Sequence, residues 1–212
     1  MSISAFESLP DEKKGSILSE GIREFSAKSY SEASTEAVTR NAGISKGLLF
    51  HYFGSKKTFY LYCLDKSMEC LVRSSSELSG DDFHSVFFNF MERKMALCME
   101  HPDEMHMVNM ASRESAAEIS VEKNALIGKY MLYVKSESDG IMKKAVSFLK
   151  LREGLSDGYA DALSLYASAV INRYLTAFQE DPDAFFSKRE QIREEIRNYL
   201  DFMLYGVCNR EE

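Results

Sequence analysis

Proline is scarce in this chain: Pro10, Pro102 and Pro182 are the only three in 212 residues. Almost no stretch alternates apolar and polar side chains with the period of two that a half-buried strand requires. The long intervals between prolines instead carry apolar residues three and four apart, the repeat of one helix face. An all-helical chain is the expectation. Equally absent is any run near the roughly 18 apolar residues that a bilayer span needs. The N-terminal MSISAFESLPDEKK also has no basic start followed by an apolar core. No membrane association is expected, and a cytoplasmic location follows. Four cysteines, Cys63, Cys70, Cys98 and Cys208, lack CxxC or finger-like spacing. Most fall at apolar helix positions, which reads as buried, reduced thiols.

Catalytic signatures are missing as well. There is no nucleophile elbow, phosphate-cradling glycine loop or HExxH, and the acids form helix-surface pairs such as Glu190 with Arg193 and Glu194 with Arg197. Neither an enzyme nor a resident cofactor is expected. His101, Asp103, Glu104 and His106 form the one cluster that suggests a metal. Histidines five apart, however, lie about 140° apart around a helix, so no metal site is expected from this spacing.

A surplus of basic residues is a further absence. The net charge is −7, which taken globally argues against a nucleic-acid partner. Its distribution reverses that argument locally. Residues 1–57 hold 8 Lys/Arg against 7 Asp/Glu, and residues 58–212 hold 18 against 26, giving +1 and −8. Between residues 40 and 57 the charged side chains are Arg40, Lys46, Lys56 and Lys57, with no carboxylate among them. A positive local field is expected there.

That window lies inside the most informative segment, STEAVTRNAGISKGLLFHYFGSKKTF, residues 34–59. It reads as a helix-turn-helix. Ala42-Gly43-Ile44 forms the turn, with Gly43 free to take the positive φ of a helix C-terminus and Ile44 returning to the core. Ser45 caps the next helix, and Lys46 to Phe53 supply about two turns, a length suited to a major groove. Leu49 and Phe53, four apart, form its inward face together with Val38 of the preceding helix. Lys46, Leu48, Phe50 and His51 are then the base-edge or sugar contacts. Gly47, which costs about 1 kcal/mol inside a helix, suits a place where backbone must approach DNA closely.

Around this segment the apolar spacing places a first helix at about Glu12–Ala27 and a helix from Ser34 to Ala42. A rod capped by Ser55 runs from Lys56 to about Glu77, roughly 33 Å long. Further helices end near Glu100, open at Pro102, and run over about Val121–Leu149, Asp157–Gln179 and Pro182–Tyr205. About nine helices are expected. They divide into a three-helix reader at residues 1–57 and a larger helical body at 58–212.

This organisation resembles the tetracycline-repressor (TetR) family of bacterial transcriptional regulators. The resemblance rests on Phe25, Tyr30, Ser34, Thr35, Val38, Ala42, Gly43, Ile44, Ser45, Lys46, Gly47, Tyr52, Phe53 and Lys56, in register with the family's motif over about the first 60 residues. Beyond them only the helix count matches. Ser29, Ala33, Thr39 and Phe50 depart from the pattern. The hydroxyls missing at 33 and 50 remove two DNA contacts, which Ser34, Thr35 and His51 are near enough to replace. The resemblance implies that Lys56 is a phosphate clamp, that Tyr52 is a second phosphate contact, and that the body binds an effector and forms a homodimer. By residue type alone Lys56 reads equally as a solvated lysine.

Two readings of the body stay open. Its methionines and aromatics can simply pack, or they can line an adaptable apolar cavity. In the family that cavity lies among the middle helices, which points to Phe88, Met91, Met95, Met107, Met110, Tyr130, Tyr133 and Tyr174 and to a lipophilic or aromatic effector. In the last two helices Leu163, Tyr166, Ala167, Val170, Tyr174 and Phe178 recur at helical spacing, followed by Ile192, Ile196, Tyr199, Leu200 and Met203. These stripes are either buried within one chain or paired with a second copy. The resemblance adds a four-helix dimer interface, and with it a palindromic operator read by two helices one DNA turn apart. The function expected is a ligand-responsive regulator, most simply a repressor released by its effector. The rival is a helical carrier or structural protein whose reader binds no specific DNA.

Overall fold

The computed structural model describes residues 3–72, 80–151, 158–177, 184 and 187–205. Among them it is all helix: α1 (Ile3–Glu7), α2 (Asp11–Ala27), α3 (Thr35–Asn41), α4 (Lys46–Phe53), α5 (Lys56–Val72), α6 (Phe83–Glu100), α7 (Pro102–Arg113), α8 (Ala117–Val146), α9 (Tyr159–Ala177) and α10 (Arg189–Tyr205). The helix not anticipated is α1, a single five-residue turn too short to show periodicity. Its Phe6 explains its presence. The ring is wholly buried, with centroids 4.8 Å from Phe53, 5.4 Å from Tyr62 and 5.7 Å from Tyr52. The expected extension of α5 towards Glu77 lies outside the described residues, as do Pro182, Phe178 and Cys208.

The chain forms two compact units, residues 1–74 with 96–134, and residues 75–95 with 135–212. Compactness thus groups the reader with α5, α7 and the first part of α8.

In the first unit the local punctuation is as the residues dictate. The Ser34 hydroxyl accepts the Ala37 N–H at 3.3 Å, Gly43 has φ 65°, and Ser45 Oγ accepts the Leu48 N–H at 3.1 Å. Ser55 starts α5 in the same way by accepting the Thr58 N–H at 3.1 Å. Beneath these turns lies one core built from Phe6, Ile17, Phe25, Val38, Leu49, Phe53, Phe59, Leu64, Met107 and Ile119. Gly21 lets α2 cross α5 closely. A Cβ there would stand 2.4 Å from Phe59 Cζ and 2.8 Å from Cys63 Sγ, which accounts for a helix-interior glycine.

Two carboxylates fasten the reader. Glu24 accepts the Ser34 N–H and the Lys28 ammonium, each at 2.8 Å, and Glu114 accepts the N–H groups of Tyr30 at 2.6 Å and Ala116 at 2.8 Å. Burial pushes both carboxyls up, but these bonds outweigh it and hold both below the ordinary glutamate value of 4.5. A folded-state value below the unfolded one contributes stability that is fully present above 4.5 and lost as pH falls through the lowered value. The melting temperature should therefore decline on acidification below that value, and more shallowly in Glu114→Gln than in the parent. Identical acid slopes in the two proteins would remove Glu114 from the account.

The second unit has its own core of Phe83, Val86, Phe87, Phe88, Ile141, Met142, Ala145, Leu163, Ala167, Tyr174, Ile192, Ile196 and Leu200. Both apolar stripes of the last helices contribute to it. Leu163, Ala167, Tyr174, Ile192, Ile196 and Leu200 are buried within their own chain, because α9 and α10 pack on each other. The Tyr166 hydroxyl donates to the Tyr199 carbonyl at 3.1 Å, and that of Tyr174 to Glu195 at 2.6 Å. Within the single chain their neighbours are the other residues of this core. Val170, Tyr199 and Met203 are only partly covered, while Leu165, 73 % exposed, and Phe202 point outward.

Candidate nucleic-acid interface

The sequence of α4 determines what it shows. Leu49 and Phe53 are buried four apart, which turns the opposite side outward, and there Ser45, Lys46, Gly47 and His51 are exposed with Leu48 and Phe50 half-buried beside them. Nothing but Ser45 Oγ, at 4.0 Å, lies near the place a Cβ on Gly47 would occupy. Its backbone is therefore open to a close approach. Of the remaining reader residues Ser34 is half-buried, whereas Thr35 and Tyr52 are each only 8 % exposed. Their contacts to a partner are limited to that small exposed fraction.

The local charge is less simple than the sequence window suggested. No carboxylate occurs within residues 40–57, but two from outside reach in: Glu36 pairs with Lys46 at 2.7 Å and Glu122 with Lys57 at 2.6 Å. The Lys46 ammonium draws the Glu36 carboxyl below its usual range. Lys56 lies against Tyr30, its Nζ 4.9 Å from the ring centroid and donating to the Ser31 carbonyl at 3.3 Å. Burial pulls its ammonium pKa down, against the opposing pull of Glu118 and Glu24. Among the described residues Arg40 makes no ion pair. The expected positive field is thus partly answered by acids in the same unit.

A network behind the reader was not foreseen. Tyr30 donates its N–H to Glu114 and its hydroxyl to Glu118 at 2.8 Å, which ties the corner after α2 to the α7–α8 junction. At that junction Lys123, only 4 % exposed, donates to the carbonyls of Ala111 at 2.9 Å and Glu114 at 2.5 Å, acceptors at the negative end of α7. Tyr130 closes the set on α5, donating to Asp65 Oδ1 at 2.8 Å. These partners lie up to 88 residues apart, a distance at which no local pattern signals them.

The residues suggested for an effector cavity fall into two groups. Met107, Met110, Tyr130 and Tyr133 belong to the first unit, with Met107 and Tyr130 in its core and Tyr133 exposed. Phe88, Met91 and Tyr174 belong to the second, where Phe88 is buried with Arg193 and Arg197 over its ring at 5.2 and 5.3 Å. Met95 falls in the second unit, its side chain outside the described set. The buried members, Met107 with Tyr130 and Phe88 with Tyr174, belong to the cores of their own units.

Comparison with known proteins adds three findings. The model of the family "Bacterial regulatory proteins, tetR family" matches residues 17–63, which span α2 to the middle of α5. The uncharacterized HTH-type transcriptional regulator YerO of Bacillus subtilis (strain 168) is 24% identical over 201 residues. That match covers 93% of this chain and 66%, just under two thirds, of that protein. Among solved structures, a TetR family transcriptional regulator from Chloroflexus aurantiacus J-10-FL is 19% identical with a TM-score of 0.59, covering 98% of both chains. The regulator FadR from Bacillus subtilis, in complex with stearoyl-CoA, is 13% identical with a TM-score of 0.63, covering 92% of this chain and 99% of that one. At such identities the structural likeness speaks to fold. No helix among the described residues is long and apolar enough to cross a membrane.

Proposed function

We infer, from the membership of residues 17–63 in the tetR family of bacterial regulatory proteins, that this chain is a dimeric DNA-binding transcriptional regulator. It is most simply a cytoplasmic repressor released from a palindromic operator by a lipophilic small molecule. The observation that carries the reading is the outward side of α4, where Lys46, Gly47 and His51 stand clear of the core at the end of a capped helix-turn-helix. Residues 1–57 form the reader on this reading, and residues 58–212 bind effector and dimerise. Lys46, Leu48, Phe50 and His51 meet bases or sugars, Ser34, Thr35, Ser45 and Tyr52 meet the backbone, and Lys56 clamps a phosphate. Self-association uses the outward sides of α9 and α10, with Leu165 and Phe202 at its centre and Val170, Tyr199 and Met203 at its margin. A lipophilic effector is in keeping with FadR, a neighbour of this fold in complex with stearoyl-CoA.

Induction is then a linkage between two sites. An effector that prefers a body conformation in which α5 tilts lowers DNA affinity, and operator DNA weakens effector binding by the same factor. The decisive experiment is selection of bound sequences from random duplexes. A recovered palindrome is the expected result, and weak, sequence-blind binding would replace the regulator with a helical carrier. On the selected site Lys56→Ala should weaken binding to all sequences alike and lower the salt slope by about one unit, while changes at Lys46 or His51 shift sequence preference. An unaltered salt slope in Lys56→Ala would make that lysine a bystander.

A further inference from the structure

We infer that the first unit contains a binding site for a divalent cation of the zinc type, formed by Cys70, His101 and Glu104. The three come from two helices that pack on each other. Cys70 lies in the last turns of α5, His101 is the residue before α7, and Glu104 is in the first turn of α7. One ligand atom from each, the Cys70 sulfur, a His101 ring nitrogen and a Glu104 carboxylate oxygen, lies within 4.8 Å of the other two, and all three residues are half-buried. His101 Nδ1 and Glu104 Oε2 are 3.9 Å apart, beyond hydrogen-bond reach, and the imidazole makes no capping bond to α7. Ligands around a tetrahedral zinc stand about 3.3–3.8 Å from one another, given metal–ligand bonds of about 2.0–2.3 Å. Small side-chain rotations complete that geometry.

The donor set selects the metal. One thiolate and one imidazole disfavour magnesium and calcium, which require oxygen, and match zinc. Three protein ligands leave the fourth position open to water or a further group. Thiolate and carboxylate together balance the charge of the ion. His101 and His106, five apart in sequence, do not share a helix face. The structure instead pairs His101 with Glu104, three residues on, and brings the sulfur from 31 positions earlier in the chain. His106 is exposed, and Asp103 faces Arg23 at 3.7 Å. A bound ion would join the end of α5 to the start of α7. The inference stands whether or not the protein binds DNA.

The test is metal binding by the full chain, prepared reduced and metal-free. Competition against a chromophoric chelator should give one Zn2+ per chain, and Co2+ should produce a thiolate-to-metal charge-transfer band. Cys70→Ser should abolish that band. His101→Ala and Glu104→Gln should each weaken Zn2+ binding by at least roughly tenfold. Zinc should raise the melting temperature of the parent but not of the variants, whose metal-free helical content stays at the parent's value. If Cys70→Ser fails to fold, His101→Ala decides, since its imidazole supports neither the core nor the cap. No zinc bound by the parent, or a charge-transfer band and affinity retained in the folded variants, would overturn the site.

Discussion

Phe59→Ala should cost the first unit about 3–5 kcal/mol, among the largest losses expected from any single substitution there. The ring is wholly buried, 4.8 Å from the centroid of Phe53 and 5.8 Å from that of Phe25, and it fills the space that Gly21 leaves where α2 crosses α5. Removing it deletes contacts to both α2 and α4. The surrounding backbone is held by the caps at Ser34, Ser45 and Ser55, so the cavity closes poorly and its cost adds to the lost transfer energy. A fall in melting temperature on the order of 10 °C is expected, with faster amide exchange concentrated in α2 and α5. A loss below about 1 kcal/mol would mean that the core repacks and that Gly21 is not positioned by this ring. Gly21→Ala should destabilise from the other side, because its new methyl would lie 2.4 Å from the Phe59 ring.

Gly47→Ala should separate folding from DNA binding. The added methyl meets only Ser45 Oγ at 4.0 Å, so the helix gains up to about 1 kcal/mol from the better helix former. On the proposed function the same methyl enters the space between α4 and the DNA. Affinity for the selected duplex should fall at least about tenfold at fixed salt, a loss near 1.4 kcal/mol. Few substitutions are expected to raise stability while lowering function, which makes the pair of measurements discriminating. Thermal melts and fluorescence anisotropy on one preparation suffice. A more stable variant that binds DNA as the parent does would show that Gly47 does not face the duplex.

What could be read from the chain is what local rules govern. Ser34, Gly43, Ser45 and Ser55 each announce a helix boundary through hydrogen bonds to residues two to four positions away, and each does in the structure what its chemistry requires. The buried side of α4 followed from Leu49 and Phe53 alone. Periodicity, by contrast, reports which side of a helix is apolar without saying what covers it. For that reason the sequence left open what covers Leu163, Ala167, Ile192 and Ile196, which lie in the core of the second unit. The same limit hid the grouping of Met107 with Tyr130 in one core and Phe88 with Tyr174 in the other. Charge is modified for a related reason: a window free of carboxylates in sequence receives Glu36 and Glu122 in space, which offset two of its four cations. Helix α1 escaped notice because one aromatic in five residues sets no period.

The length of α5 has a metrical consequence. Seventeen helical residues at about 1.5 Å each make a shaft of about 25 Å, with Lys56 and Lys57 at one end and Cys70 near the other. Pivoting that shaft by about 8° at its far end carries the lysine end sideways by about 3.4 Å, the rise of one base pair. On the proposed function the helix would act as a vernier between effector and duplex. On that reading a tilt of this size is enough to put the reader one base pair out of step.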